Sequence, residues 1–423
     1  MFDSTIVQFS SYSGEELSSL SNVVIFVIFS IVYVGSSCTL LKSVKNIVSN
    51  YNYKPAPHGL RYLQGIMIGT LISTTAIILA IICQMLLVDR YSIVLLEIQT
   101  YICHFIPFAF VSFLIYLLGL WLKSKRSILV MLYIGAFSSY CANLIVTLIY
   151  LESYFTIFSS VLPDVSAYPI TSYVVNLPGM PLTELLSTIF DILSLLSFLI
   201  MWVATAIFLS QYRFRMGKVK YFTLISIPLI YYIFPFQNYF GDQLLPLLQS
   251  SPVSFSIVFI LVFSATKQVG AVLFSLSFWF ASSLVYDDRI RKSLLISSIG
   301  MAILFNCIAL SPLQYRVFPP YGLITEAFLP LGSYLLVIGL YTSAKHLARD
   351  ASMRKWIYNG AQTQLSILKE IGVSQMERDL EKQLKITHSK ASSIIDEPQL
   401  ELEDEDFKKI LHDVLTELYY SKK

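Results

Sequence analysis

Residues 62–87 read YLQGIMIGTLISTTAIILAIICQMLL, 26 consecutive positions without a charged side chain. At a rise of about 1.5 Å per residue a helix of that length exceeds a hydrocarbon core about 30 Å thick. Backbone amides in hydrocarbon have no water to bond, so such a run satisfies them internally as an α-helix, and it lacks the alternation of a barrel strand. The sequence therefore predicts an all-α polytopic transmembrane bundle.

The same pattern recurs on both sides of this stretch. Apolar runs of spanning length lie at 20–41, 93–122, 128–151, 182–210 and 221–240, followed by a short one at 253–264 and further ones at 269–285, 293–311 and 321–341. These amount to nine or ten membrane segments, with residues 1–19 ahead of them. The whole chain of 423 residues is 55% hydrophobic and 13% charged, about half the charge of an ordinary soluble domain. Residues 343–423 alone hold 13 Lys/Arg and 14 Asp/Glu, so the chain divides into a bundle at 20–342 and a soluble helical tail. The net charge of +3 comes without a dense basic cluster, which disfavours nucleic acid. The first twenty residues hold no Lys or Arg, so no cleaved leader is expected.

Orientation follows from the bias of Lys and Arg toward cytoplasmic loops. Lys42, Lys45, Lys54 and Arg61 follow the first run, Lys123, Lys125 and Arg126 the third, and Arg213, Arg215, Lys218 and Lys220 the fifth, while 152–184 and 241–253 hold none. This sets the N-terminus outside and the C-terminal tail in the cytoplasm of a cell-membrane protein. Arg289, Arg291, Lys292, Lys345 and Arg349 are cytoplasmic as well only if one element does not cross. Either the 253–264 run is re-entrant, turning at 266–270, or Tyr231–Leu248 with Pro235 and Pro246 fails to span. Ten crossings with a weakly obeyed charge bias is the alternative.

In the tail, the sequence reads as a helix continuing from Tyr321 to Ile371 and stopping at Gly372. Ser374 and Glu377 then have capping-box spacing ahead of a second helix with a coiled-coil-like seam at 373–394. An acidic run at 401–406 precedes an amphipathic helix at 407–420. Three such stripes require a cytoplasmic protein partner or self-association.

Ionisable groups at membrane depth are candidate functional residues by default. Glu97 and His104 are seven residues apart on one helical face, which suits a shared water or proton path, or else an interfacial acid and a histidine bonded to a neighbouring helix. Asp191 is the deepest acid by position; it is a functional group or a polar contact with Ser187 or Ser194. Glu326 reads as interfacial, and Lys267 either snorkels to the cytoplasm or faces a cavity. Gly65 and Gly69 have the small-xxx-small spacing of close helix packing. Cys38, Cys83, Cys103, Cys141 and Cys307 are widely spaced in apolar runs and read as small buried hydrophobes. No nucleotide, hydrolase or metal motif occurs, so neither an enzyme nor a cofactor is expected.

Three stretches carry a resemblance: TKQVGAVLFSLSFWFAS at 266–282, FPPYGLITEAFLPLGSYLLVIGLYTSAKHLAR at 318–349 and ILKEIGVSQMERDLEKQLKI at 367–386. Together they resemble a family of uncharacterised multi-pass membrane proteins of ammonia-oxidising archaea. That resemblance implies an archaeal cell-membrane protein whose last span leads into a helical tail, and it brings no activity or site residues. From the residues themselves the expectation is a receptor-like or scaffold protein coupling the bundle to its tail. The competing expectation is a secondary transporter or channel using intramembrane acids.

Overall fold

The computed structural model describes residues 19–49, 58–88, 92–124, 127–161, 181–210, 212–213, 217–229, 269–283, 285, 287–307, 320, 322–349, 372, 374–376 and 378–379. The short run at 253–264, Lys267, the seam beyond 379, the acidic run and the last amphipathic helix lie outside them. Among the described residues there is no strand. The helices are α1 (Ser19–Ser49), α2 (His58–Val88), α3 (Ile93–Ser124), α4 (Ile128–Val161), α5 (Pro181–Ser210), α6 (Lys218–Ser226), α7 (Val269–Ser283), α8 (Asp288–Cys307) and α9 (Gly322–Arg349). All except α6 and α7 are long and apolar enough to cross a membrane, seven in total among the described residues.

Several helices outrun the apolar stretch that announces them, because the hydrogen-bond ladder continues into polar sequence. α1 extends to Ser49, α4 to Val161 and α9 to Arg349. The tail boundary expected at 343 thus falls inside α9, where Thr342, Ser343, Ala344 and Leu347 are buried. α8 begins five residues before its apolar run because Asp287 caps it: Oδ1 accepts from the amides of Arg289 at 2.7 Å and Ile290 at 3.3 Å, satisfying first-turn donors.

α9 is the centre of the bundle. Its span is 94% buried, against 28% for that of α1 and 39% for those of α2 and α3. It runs antiparallel to α8 and meets it backbone to backbone: a Cβ on Gly300 would stand 2.5 Å from the Leu336 amide nitrogen, and one on Gly339 would stand 2.6 Å from the Ser293 carbonyl oxygen. A Cβ on Gly332 would come within 3.0 Å of the Leu304 nitrogen. Without side chains at these crossings the two main chains approach as membrane helices do when dispersion, not water exclusion, drives them together.

The expected packing pair, Gly65 and Gly69, is not used this way. Both lie on the exposed side of α2, and among the described residues nothing stands within 4 Å of where their Cβ atoms would be. Spacing alone identifies small residues, while the partner that makes them useful belongs to another helix.

The remaining order follows from pairwise contacts. α3 runs parallel to α9, Phe110 lying on Tyr334 and His104 beside Glu326. α4 runs antiparallel to α3 and α5 to α4, as seen at Ser112 with Cys141 and at Ser197, whose hydroxyl donates to the Ala136 carbonyl. α6 doubles back on α5, Trp202 donating to the Ile225 carbonyl and Tyr221 to the Ala206 carbonyl. α7 runs beside α5 through Phe198–Phe274 and Phe208–Phe278. In consequence the C-terminal ends of α3, α5 and α9 and the N-terminal end of α8 lie at one end of the bundle. Lys123, Arg213, Arg289, Lys292 and Lys345 gather there.

The α8–α9 seam yields a direct expectation. Gly300→Leu and Gly339→Leu each drive a side chain into main chain and destabilise at or above the upper end of the range of about 1–3 kcal/mol usual for overpacking. Gly69→Leu leaves stability unchanged. Thermal midpoints and the monodisperse fraction in detergent, compared across the three variants, check this.

Candidate functional site

The structure brings together His104 and Glu326, which the sequence placed in different settings. Glu326 is buried in the bundle: it is 4% exposed, and its Oε2 lies 3.8 Å from His104 Nδ1, itself on a residue 2% exposed. His104 Nδ1 donates to the Thr100 carbonyl at 2.8 Å, since a carbonyl oxygen only accepts. The carboxylate facing His104 is therefore Glu326 and not its sequence neighbour Glu97. Glu97 is half-buried on α3 beside Tyr101, near Glu152.

Asp191, the foremost sequence candidate, lies on an exposed stretch of α5 next to exposed Ile192. Its depth along the chain is as expected, but its azimuth directs it away from the core. Of the cysteines, Cys103, Cys141 and Cys307 are buried as expected, whereas Cys38 and Cys83 are exposed; all five are free thiols.

Around the Glu326–His104 pair the core is polar for a membrane bundle. Gln99, wholly buried one turn before Cys103, donates through Nε2 to the Cys103 sulfur at 3.3 Å, and its Oε1 has no hydrogen-bond partner. Cys103 and Cys307 lie beside Glu326. On the α1 side the Tyr33 hydroxyl bonds Thr74 of α2 at 2.9 Å, and the Tyr33 ring stands edge-on to Phe328 at 4.8 Å. Deeper along α4, the Tyr140 hydroxyl and both side-chain amide atoms of Asn143 are buried without a partner. Gln99 and Asn143 are not ionisable and so are not among the candidates read from the sequence; a side-chain amide in an apolar span is the signal that marks them.

Both helices of the pair also contain a proline one turn beyond it. Pro107 of α3 and Pro330 of α9 have no amide hydrogen for the carbonyls of Cys103 and Glu326, four residues earlier.

A second contact links the same two helices to the tail. At the C-terminal end of α3, Trp121 Nε1 donates to Gln375 Oε1 at 3.1 Å, and Trp121 is 1% exposed. At the corresponding end of α9, a Cβ on Gly372 would collide with the Leu347 side chain. A straight helix would separate residues 347 and 372 by about 38 Å, whereas Gly372 lies against Leu347; the rest of the expected helix to Ile371 lies outside the described residues. Gly372 is helical and not a stop, and the Ser374 hydroxyl is buried without a partner, so the expected capping box does not form. Burial of Ser374 and Met376 shows that this part of the tail is packed.

Among the described residues no group of three or more His, Cys, Asp or Glu is arranged to hold a metal ion. No protein-family model, no curated protein and no solved structure matches the chain.

The burial contrast sets the cost of mutation. His104→Leu removes the imidazole that donates to the Thr100 carbonyl and lies beside the Glu326 carboxyl, and is expected to cost about 1–3 kcal/mol, as loss of a buried polar contact does. Asp191→Asn stays within about 0.5 kcal/mol, as exposed substitutions do. Unfolding titrations in mixed detergent micelles separate the two.

Proposed function

We propose that this chain is a receptor-like multi-pass protein of the cell membrane that couples a polar site in its bundle core to its cytoplasmic tail. The observation that carries the reading is that α3 and α9, which run parallel, each hold one half of two contacts. His104 and Glu326 meet in the core, and Trp121 and Leu347 meet the tail at the far ends. By helical rise these contacts are about 25 Å apart along α3 and about 31 Å apart along α9. Two packed helices sharing both ends form a contiguous element: a shift of one against the other changes both contacts.

The N-terminus lies outside and the tail inside in this reading. Support comes from the charge bias and from the gathering of Lys123, Arg213, Arg289, Lys292 and Lys345 at one bundle end. That gathering also favours nine crossings over ten, since α8 starts at the end where α5 stops. The tail beyond its docked segment is then the part that engages a cytoplasmic protein or a second copy. An archaeal membrane is the setting that the family resemblance implies.

A secondary transporter is the second reading, favoured by one observation: a buried acid and histidine flanked by helix-breaking prolines. The two readings part on what the pair controls. In a background with the native cysteines replaced, Trp121→Cys with Gln375→Cys is joined by a short bismaleimide in native membranes. Adding His104→Ala changes the cross-linked fraction by about fivefold or more, within the usual range of coupling energies. An unchanged fraction, together with solute-dependent proton flux in proteoliposomes, replaces the receptor reading with transport.

A further inference from the structure

The corner between α5 and α6 holds two cations that no described carboxylate neutralises. Past the end of α5 the chain turns sharply: the Gly217 amide donates to the Arg213 carbonyl at 3.0 Å, and Gly217 has a φ of 85°, a left-handed backbone that glycine adopts without strain. α6 then starts at Lys218 and doubles back along α5. The Arg213 guanidinium lies over the Phe222 ring, 5.0 Å from its centroid. Lys218 and Phe222 are four residues apart and share one face of α6, so Lys218 stands on the side of the helix where Arg213 rests. Arg213 is half-buried and Lys218 exposed. Among the described residues neither side chain enters an ion pair, and Arg213 Nε is buried without an acceptor.

Two like charges on one side of a short helix repel, and at the edge of an apolar bundle little water screens them. An anion placed between them removes that repulsion. What surrounds the cations selects the anion. One turn from Lys218 toward the bundle interior Phe222 is 54% exposed, and Val219 beside it is 79% exposed. Cations at the end of the bundle with bare apolar surface one turn inward match a lipid, whose phosphate lies at the surface and whose chains lie below it. A free phosphate engages the cations and leaves Phe222 bare. We propose that the α5–α6 corner binds the phosphate headgroup of an anionic membrane lipid. Arg213 donates from its terminal nitrogens to the phosphate oxygens, as a planar guanidinium does. Lys218 adds the second charge, and Phe222 seats the guanidinium and meets the first acyl carbons. Lys220, two residues beyond Lys218, lies on the opposite side of α6 and takes no part. This site is separate from the core pair and from the tail contact.

Full-length protein, delipidated in detergent, is titrated with short-chain phosphatidylglycerol, short-chain phosphatidylcholine or inorganic phosphate while its thermal midpoint is followed. Phosphatidylglycerol raises the wild-type midpoint saturably, as a ligand of the folded state requires. Phosphatidylcholine, with no net charge, and inorganic phosphate, with no chain, raise it less. Lys218→Gln shifts the half-saturating phosphatidylglycerol concentration upward about fivefold, equivalent to about 1 kcal/mol for one cation near a lipid surface. Lys220→Gln removes the same charge from the other side and leaves that concentration unchanged. Arg213→Lys keeps the charge, loses the fork and also weakens binding; the two exposed lysines keep the site under test where an Arg213 variant fails to fold. Equal losses from Lys218→Gln and Lys220→Gln reveal diffuse surface attraction and overturn the site. A phosphate response as large as the lipid response overturns the lipid as its ligand. Absence of any phosphatidylglycerol response overturns the proposal outright. A midpoint then lowered alike by Arg213→Gln and by amide replacement of Glu401, Glu403, Asp404, Glu405 and Asp406 names the acidic run of the tail as the occupant instead.

Discussion

Where α8 and α9 cross, their main chains meet at glycines, and the remaining architecture is built on that contact. Gly300, Gly332 and Gly339 leave no side chain of their own at the crossing, so the glycine face of α9 and α8 is closed by main chain together with Ser297 and Ile303. With that face closed, α3, α1 and α2 enclose the others. A helix that would otherwise turn part of its surface to lipid is buried throughout. Only in that position does a residue such as Glu326 leave contact with either water or hydrocarbon and acquire a protein environment.

Burial in a bilayer protein has consequences unlike those in a soluble core. Lipid and protein interior are both apolar, so the outward surface of α2 carries Ile68, Ile72 and Leu79, as hydrophobic as any core, and no energy separates faces by hydrophobicity alone. Polar groups do the sorting. Thr74, Gln99, His104, Asn143 and Glu326 all point inward, where they find partners or share an enclosed polar zone; in hydrocarbon each unpaired group would cost several kcal/mol. The polar zone and the proline interruptions at Pro107 and Pro330 occupy the same region. Helical backbone is weakest as a hydrogen-bonding ladder where side-chain oxygens are most concentrated.

Mechanical connection follows from the parallel run of α3 and α9. Because they enter and leave the bundle together, a contact near their beginnings and a contact at their ends join the same two rigid bodies. The contacts of Gly372 with Leu347 and of Gln375 with Trp121 make this short segment a part of that assembly.

What the sequence determined by itself was the all-helical character of the described residues and the approximate extent of the seven helices long and apolar enough to cross a membrane. In hydrocarbon every backbone amide must be satisfied within its own segment, so an uncharged run of more than twenty residues has one solution wherever it packs. His104 and Glu326 were also legible as candidates, since ionisable side chains are rare there. Their pairing was not, nor was the outward position of Asp191, because helices apolar on all sides carry no stripe that tells core from lipid. Likewise Gly65 and Gly69 matched a packing spacing that Gly300, Gly332 and Gly339 in fact serve. A glycine matters only when another backbone arrives beside it, and the meeting of Leu347 with Gly372 is a long-range contact that no local pattern encodes. Those features were decided by the tertiary structure, through the close packing of particular faces.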